Sequence, residues 1–456
     1  MNPIIRCISI PPGGRPALDV HGPALSADGS QVSFSTADGR GARDVVLFDA
    51  MSQHSRHVTH GVWETGRQWN QVALSGAGDQ VAVTCKDENA AGKRPDARLV
   101  RPGVTPPEHV PEPLHVGTEV SISEPKLSAN GRYMVFTEHV GPEGGFHSNP
   151  SDVWRYDRDT ATLRQINRDS AEFRFHRSEH PSVSNDGRLV AFSAHSCGTD
   201  KHPWLPNNRS QVEVFVTDAN SGETRCVSLG HHGKPAGNDS LFPTISGDGR
   251  YVLFASRATD MLPGVVASPD PPYALHYYVH DNVTHTTAHV GPGAAVKMQA
   301  ADELYQKGAL SADGRYVVIA SDAIATKPTQ IMVYDMQKGN SACVTVAGGW
   351  ANADCFEPTI SADGSTIAFT SRATNLEIDR MDPDSIFHPP APNGDLQAFI
   401  ANNPLMDTLP KWANTDWAKP RPITLPSMPA KPAGGIEQSE DTVIIGGIRV
   451  PRRRDS

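Results

Sequence analysis

The stretch Pro358–Ser371 reads PTISADGSTIAFTS, and Pro243–Ser256 reads PTISGDGRYVLFAS. Related copies stand at Pro23–Thr36, Pro125–Glu138, Pro181–Ala194 and Gly308–Ser321, with a worn copy at Val72–Cys85. The motif serine falls at Ser26, Ser75, Ser128, Ser184, Ser246, Ser311 and Ser361, so successive copies lie 49 to 65 residues apart. A period of that length, with strands in each unit, marks a propeller or a linear array. In six copies Asp-Gly or Asn-Gly separates two apolar runs. This is a strong hairpin signal and predicts a type I′ turn of about two residues, with positive φ at both central positions. The worn copy has Ala77-Gly78 instead, which predicts a different turn. After Gly249, Tyr251, Leu253 and Ala255 alternate with Val252 and Phe254, so the strand is apolar on both faces and belongs between two covered sheet faces.

A third strand follows each hairpin and usually ends in an acid: Val45–Asp49, Val153–Asp157, Val212–Asp218, Leu275–Asp281 and Ile331–Asp335, with Leu396–Asn402 as the seventh. A short turn and a fourth strand complete the unit. Four antiparallel strands repeated radially make a propeller blade. The seventh unit lacks its fourth strand, but Ile4–Ile10 (IIRCISI) matches TRCVSL of the fourth unit at Arg-Cys-x-Ser. The expectation is therefore an all-β, seven-bladed propeller over residues 1–402, with the N-terminal strand closing the last blade and covering its edge. Residues 403–456 form a Pro-rich C-terminal extension. Trp412 and Trp417 are expected to pin it to the propeller, and Thr442–Val450 (TVIIGGIRV) reads as one β-prone strand.

The pattern Ser-x-Asp-Gly-Arg-Tyr-Val-x-Phe-x-Ser with a preceding Pro, followed by a strand ending in Tyr-Asp or Thr-Asp, resembles the TolB-like β-propeller repeat. The resemblance covers about residues 3–402. It implies the fold and carries no catalytic residue. Similar repeats occur in binding propellers and in the propeller halves of prolyl-peptidase-like enzymes, so no activity follows from it. Oligogalacturonate lyases resemble this fold too, but their ligand pattern has no match here.

Net charge is −10, from 41 Lys and Arg against 51 Asp and Glu. With no cluster of basic residues, nucleic acid is not an expected partner. No run of 18 apolar residues and no signal-peptide pattern occurs, so no membrane span is expected and a cytoplasmic location is, with export by an unconventional route left open. The six cysteines lack Cys-x-x-Cys spacing, which suits buried thiols in a reducing compartment.

The long connections, those joining strands two to three and each blade to the next, emerge on one face. Loops on a rigid scaffold are where binding residues concentrate. A protein or peptide partner is expected there, with Trp63, Trp69, Trp204 and Trp350 as anchors. The strand residues Val443, Ile444, Ile445 and Ile448 are a second docking element, through which assembly is possible. Asp379, Asp382 and Asp384 are candidate ligands for Ca2+ or another divalent metal, without the EF-hand pattern. Eight histidines cluster by pairs, among them His276, His280, His285 and His289, with His280 and His285 expected to approach across a hairpin. There is no Gly-x-Ser-x-Gly elbow, Walker loop or dinucleotide fingerprint. The Ser/Asp pair of the motif recurs in most units, which points to turn hydrogen bonding and away from catalysis. The leading expectation is a non-enzymatic binding scaffold that needs no cofactor. The alternatives are a metal-dependent lyase or hydrolase with a His/Asp site near the central channel, and a glycan-binding propeller.

Overall fold

The computed structural model describes residues 3–9, 18–37, 43–59, 67–87, 96–102, 108–111, 120–141, 150–169, 173–198, 211–263, 274–291, 295–297, 308–321, 328–346, 349–376, 395–415, 442–445 and 448–451. Two compact units result, Met1–Lys419 and Pro420–Ser456.

The first unit is an all-β propeller of mostly four-stranded antiparallel sheets. Each repeat forms an antiparallel meander. The third and fourth repeats share one eight-stranded sheet, because Ser151 and Arg177 form a parallel bridge between them. The fifth repeat carries an extra short strand, Ala295–Lys297, within a stretch expected as loop. No helix among the described residues is long and apolar enough to cross a membrane. The motif phenylalanines Phe34, Phe136, Phe192, Phe254 and Phe369 are all fully buried between sheets. Each contributes about 1.5–3 kcal/mol relative to exposure.

The hairpin chemistry differs from the expected type I′ turn. In the first repeat the ladder ends at Leu25 and Val32, and Ser26 N–H bonds the Gln31 carbonyl, leaving four residues between. Gly29 N–H bonds the Ser26 carbonyl, and only the glycine, at φ +66°, is left-handed. The motif serine and aspartate do the rest. Ser26 Oγ donates to Asp28 Oδ1 (2.8 Å) and accepts the Gln31 N–H (3.0 Å), while Asp28 accepts the Ser30 N–H (3.0 Å). The same set recurs at Ser184, Ser246, Ser311 and Ser361. The worn copy makes this turn too, against expectation: Gly78 has φ +73° and Ser75 donates to Asp79, two positions beyond the aspartate of the other copies.

Those turns also join the repeats. A Cβ on each turn glycine would collide with the residue two beyond the turn glycine of the repeat before. Gly78 sits on Gln31, Gly131 on Gln80, Gly187 on Tyr133, Gly249 on Leu189, Gly314 on Tyr251, Gly364 on Tyr316, and Gly29 on Thr366. The motif arginine reaches the acid that ends its own third strand, as in Arg132–Asp157, Arg188–Asp218, Arg250–Asp281 and Arg315–Asp335. Those acids accept the next turn's N–H groups as well.

At the outer edge, a hydroxyl or amide two residues past the end of the fourth strand bridges to a polar side chain of the third: Thr59 to Asp44, Asn167 to Asp152, Ser228 to Glu213 and Thr345 to Gln330. Ser9 makes the same link to Gln397 (2.7 Å), and Ile5–Cys7 pairs antiparallel with Gln397–Asn402, Ile5 opposite Ala401. The cysteines of this strand type, Cys7, Cys226 and Cys343, each lie beside the hydroxyl two residues on. Burial raises the Cys226 and Cys343 thiols above their ordinary range.

Residues beyond Asn402 continue into the first unit. Lys411–Asn414 forms a 3-10 turn that buries Trp412. Its indole N–H donates to Thr366 Oγ1 (3.0 Å), and the ring packs with Val32, Phe34, Phe48 and Ile400. Thr366 stands where Tyr133, Tyr251 and Tyr316 stand in other repeats, and the tryptophan supplies the missing bulk. Trp417 lies outside the described residues.

In the second unit, Thr442–Ile445 pairs antiparallel with Ile448–Pro451, Ile445 opposite Ile448. The expected single strand is thus a hairpin.

Candidate functional site

The innermost strand of each repeat faces the propeller axis, and six of the seven carry a fault in the ladder. Pairing slips between Ser123 and Lys126, Glu179 and Ser182, Leu241 and Thr244, and Phe356 and Thr359, with similar slips in the first two repeats. The residue at the slip is the one before the first residue of the motif, usually a proline. Proline cannot donate to a ladder, and a bulge re-aims the side chain beside it. At that position Gly22, Glu124, His180, Phe242 and Glu357 all hold left-handed backbone, with φ between +50° and +59°. Glycine adopts this freely, whereas the other residue types do not.

These residues form a collar. Glu124 Oε2 accepts the backbone N–H of His180 (2.7 Å) and the Thr137 hydroxyl (3.3 Å). Glu357 Oε2 accepts the N–H of Gly22 (3.0 Å) and the Thr370 hydroxyl (3.1 Å). Gln71 Oε1 accepts the N–H of Glu124. So the side chain of one repeat satisfies the strained backbone of the next. His180 lies 3.6 Å from Glu124 Oε1, bonds Ser193 Oγ through Nδ1 (2.9 Å) and meets the Phe242 ring edge-on at 4.7 Å. His21 lies 3.8 Å from Glu357 and 3.1 Å from Asp19. Behind the collar, burial holds His139 below its ordinary range.

The collar rims a cavity of about 700 Å3 lined by every repeat. Its wall is largely Pro23, Pro125, Pro181, Pro243 and Pro358, with Lys126 as a further charged group beside the two glutamates. Because proline removes N–H groups from these inner edges, strand addition is discouraged there. Side chains must do the recognising.

Two of the tryptophans expected from the sequence lie among the described residues. Trp69 is in the innermost strand Arg67–Leu74, opposite Cys85, and not in a loop. Trp350 is exposed and bridges to Val346, and its carbonyl accepts from Asn375 (2.8 Å). Trp63, Trp204, Asp379, Asp382 and Asp384 lie outside the described residues. Among the described residues, no group of three or more His, Cys, Asp or Glu is arranged to hold a metal ion. His280 and His285 do approach, with ring centres 6.3 Å apart, and His276 approaches His289 at 5.7 Å. Burial drives His280 down to about 4. The collar itself is not singled out by motif reading, although one signal is visible in the sequence. Aligning the copies shows Gly22, Gln71, Glu124, His180, Phe242, Lys307 and Glu357 at one position, all different in kind except the two glutamates, beside an almost constant frame.

No protein-family model matches the chain, and no curated protein does. Similar solved structures include a puromycin hydrolase S511A mutant complexed with PGG, with 13% identity and TM-score 0.50, covering 78% of this chain and 50% of that one. They also include TolB from Acinetobacter baumannii, at 14% identity and TM-score 0.37, over 83% and 81% of the two chains. The β-propeller domain of the Trilobed protease from Pyrococcus furiosus matches at 10% identity and TM-score 0.45, over 78% and 91%. This chain thus spans about half the length of the puromycin hydrolase. At such identities the likeness concerns the fold. The TolB-like repeat read from the sequence stands in a β-propeller arrangement, with TolB among the matches.

Proposed function

We propose that this chain is a seven-bladed binding propeller, closed through Ile5–Cys7, that receives a segment of a protein or peptide partner in its axial channel. Counting seven treats the eight-stranded sheet as two blades. The unbroken cycle of seven glycine contacts and the Ser9–Gln397 link support that count and that closure.

One observation carries the binding reading. The collar holds Glu124, His180, Phe242 and Glu357 in a conformation that glycine takes without strain, as at Gly22. Each such residue costs on the order of 1 kcal/mol, and strain of this kind gathers where recognition needs a particular side chain. The loop face, where Trp350 is exposed, then holds the remainder of the partner. Peptidases and TolB both stand among the similar structures, and a shared fold does not choose between enzyme and scaffold.

The test is photo-cross-linking in an extract of the source organism. A benzophenone amino acid replaces Lys126 in the channel or, as control, Val283 on the outer rim. The expected result is one partner segment trapped from position 126, lost on Ala24→Trp, and nothing specific from 283. Capture that survives Ala24→Trp but is lost on Trp350→Ala moves the site to the loop face.

A further inference from the structure

We propose that the seam between the third and fourth repeats binds a phosphate- or sulfate-type dianion between Arg155 and Arg164, on the face of the hairpin turns and away from the channel. This site is independent of the channel reading and is tested separately from it.

Arg155 breaks the pattern of its row. Strand register places it level with Leu47, Leu99, Val216, Val279, Val333 and Ile400 of the other repeats, and all six are buried aliphatics. Arg155 is buried as well, at 8% exposure. Directly opposite it, across the strands Ser151–Asp157 and Thr162–Gln165, stands Arg164. At the same outer position Arg6, Arg56 and Arg225 each face an aliphatic residue. Only here, among the described residues, do two arginines meet, and like charges directly opposite repel. Neither forms an ion pair among the described residues. Each donates to one carbonyl of the fourth repeat, Arg155 Nη1 to Gly187 (2.8 Å) and Arg164 Nη1 to Asn220 (3.2 Å). A guanidinium has several further N–H donors, and Arg155 Nε is buried without a partner. The acids of the adjoining strands and turns are engaged elsewhere. Asp157 takes Nε and Nη2 of Arg132, Asp218 pairs with Arg188, and Glu223 pairs with Arg225. The Tyr133 ring, 4.6 Å from Arg155 Cζ, offsets part of the charge. A buried unpaired cation costs more than such a contact returns. Burial lowers the Arg155 pKa, and the charge of Arg164 adds to this. The pair therefore calls for negative charge carried on several acceptor oxygens. A tetrahedral dianion offsets both guanidiniums and accepts from both at once, whereas a carboxylate offsets only one. Arg164 is half-buried, which leaves the pair open to solvent on the outer-strand side.

The experiment uses the full chain at about pH 8, where a phosphate monoester is chiefly a dianion. The probes are inorganic phosphate, sulfate, phenyl phosphate and acetate, each set against sodium chloride at equal ionic strength. Calorimetric titration and the melting temperature are the readouts. Phosphate and sulfate are expected to bind saturably and to raise the melting temperature, as binding to the folded state alone must. Acetate is expected to bind at least about tenfold more weakly. Arg155→Leu installs the residue type of the other copies, so without phosphate it should melt no lower than the parent. Its phosphate affinity should fall at least about tenfold. Arg164→Gln keeps a donor for the Asn220 carbonyl and should lose affinity in the same way. Phenyl phosphate binding as tightly as phosphate supports the site and names a phosphoryl group on a carrier as its ligand; weaker binding supports the site and names the free ion. Acetate binding as tightly as phosphate overturns the preference for a dianion. No probe exceeding chloride, or unchanged phosphate binding in either folded variant, overturns the proposal.

Discussion

The two ends of the innermost strands make opposite use of the repeat. At the hairpin end every copy carries the same devices: a serine folded onto an acidic or amide neighbour, a left-handed glycine, and a side chain from the preceding unit wedged against that glycine. Only a few residues away, at the collar, five repeats again share one left-handed backbone, but the side chains are Gly, Glu, His, Phe and Glu. Where copies agree, the residue holds the ring. Where copies share a backbone and disagree in side chain, the ring offers a surface with direction. On the proposed reading, structural and recognition positions stand side by side within one strand.

The contrast can be broken from the structural side first. Trp412→Ala removes a fully buried indole from the seam between the last and first repeats, and should cost about 3–5 kcal/mol, read as a shift of the denaturant midpoint. Restoring the repeat pattern with Thr366→Tyr in that background should recover part of the loss. Gly314→Ala adds a Cβ 2.2 Å from the Tyr251 ring at φ +68°, and should cost about 2–4 kcal/mol. No change in stability for either would mean that the seating of one repeat on the next does not hold the ring.

A smaller effect tests one copy against its equivalents. Glu213 occupies the place held by Gln330 and Gln397 elsewhere, and burial raises its pKa well above the ordinary carboxylate range. The folded state therefore keeps a proton that the unfolded chain releases above about pH 4.5. Stability from this group is present at acid pH and is lost as pH rises toward the folded value. Glu213→Gln should raise the denaturant midpoint at pH 7, and the gain should vanish near pH 4. Equal stability at both pH values would sink this assignment. The smallest effect belongs to the collar. A Cβ on Gly22 meets nothing within 4 Å, so Gly22→Ala should cost only about 1 kcal/mol, all of it from the left-handed backbone. The gap between Gly314→Ala and Gly22→Ala measures how much of the glycine requirement comes from neighbours and how much from φ.

The frame was legible in the sequence because each of its parts recurs. Asp-Gly marked the hairpins, and Arg-Cys-x-Ser led from the fourth repeat to Ile5–Cys7. The turn type was misread because a type I′ hairpin draws only on backbone preference, whereas Ser26 and Asp28 supply side-chain bonds that widen the loop to four residues. The same bonds rescue Ala77-Gly78, since Asp79 reaches Ser75 from two positions further on. Trp412 was legible as a pin. Its depth was not, because that depends on Thr366 being small where other copies have tyrosine. The collar escaped for a different reason. Glutamate and phenylalanine have no local preference for positive φ, so nothing in their own propensities announces the bulge.

Trp412 follows the last repeat in the chain, so the wedge becomes available only after all the repeats have been made. The strand Ile5–Cys7 is synthesised before any repeat, yet its partner Gln397–Asn402 is nearly four hundred residues away. The aromatic wedge that seats the joint between last and first emerges later still. Until then the nascent chain carries a bare sheet margin and an ill-fitting gap. A stall or cleavage between residues 402 and 412 should yield a ring that has met its own beginning but does not stay shut.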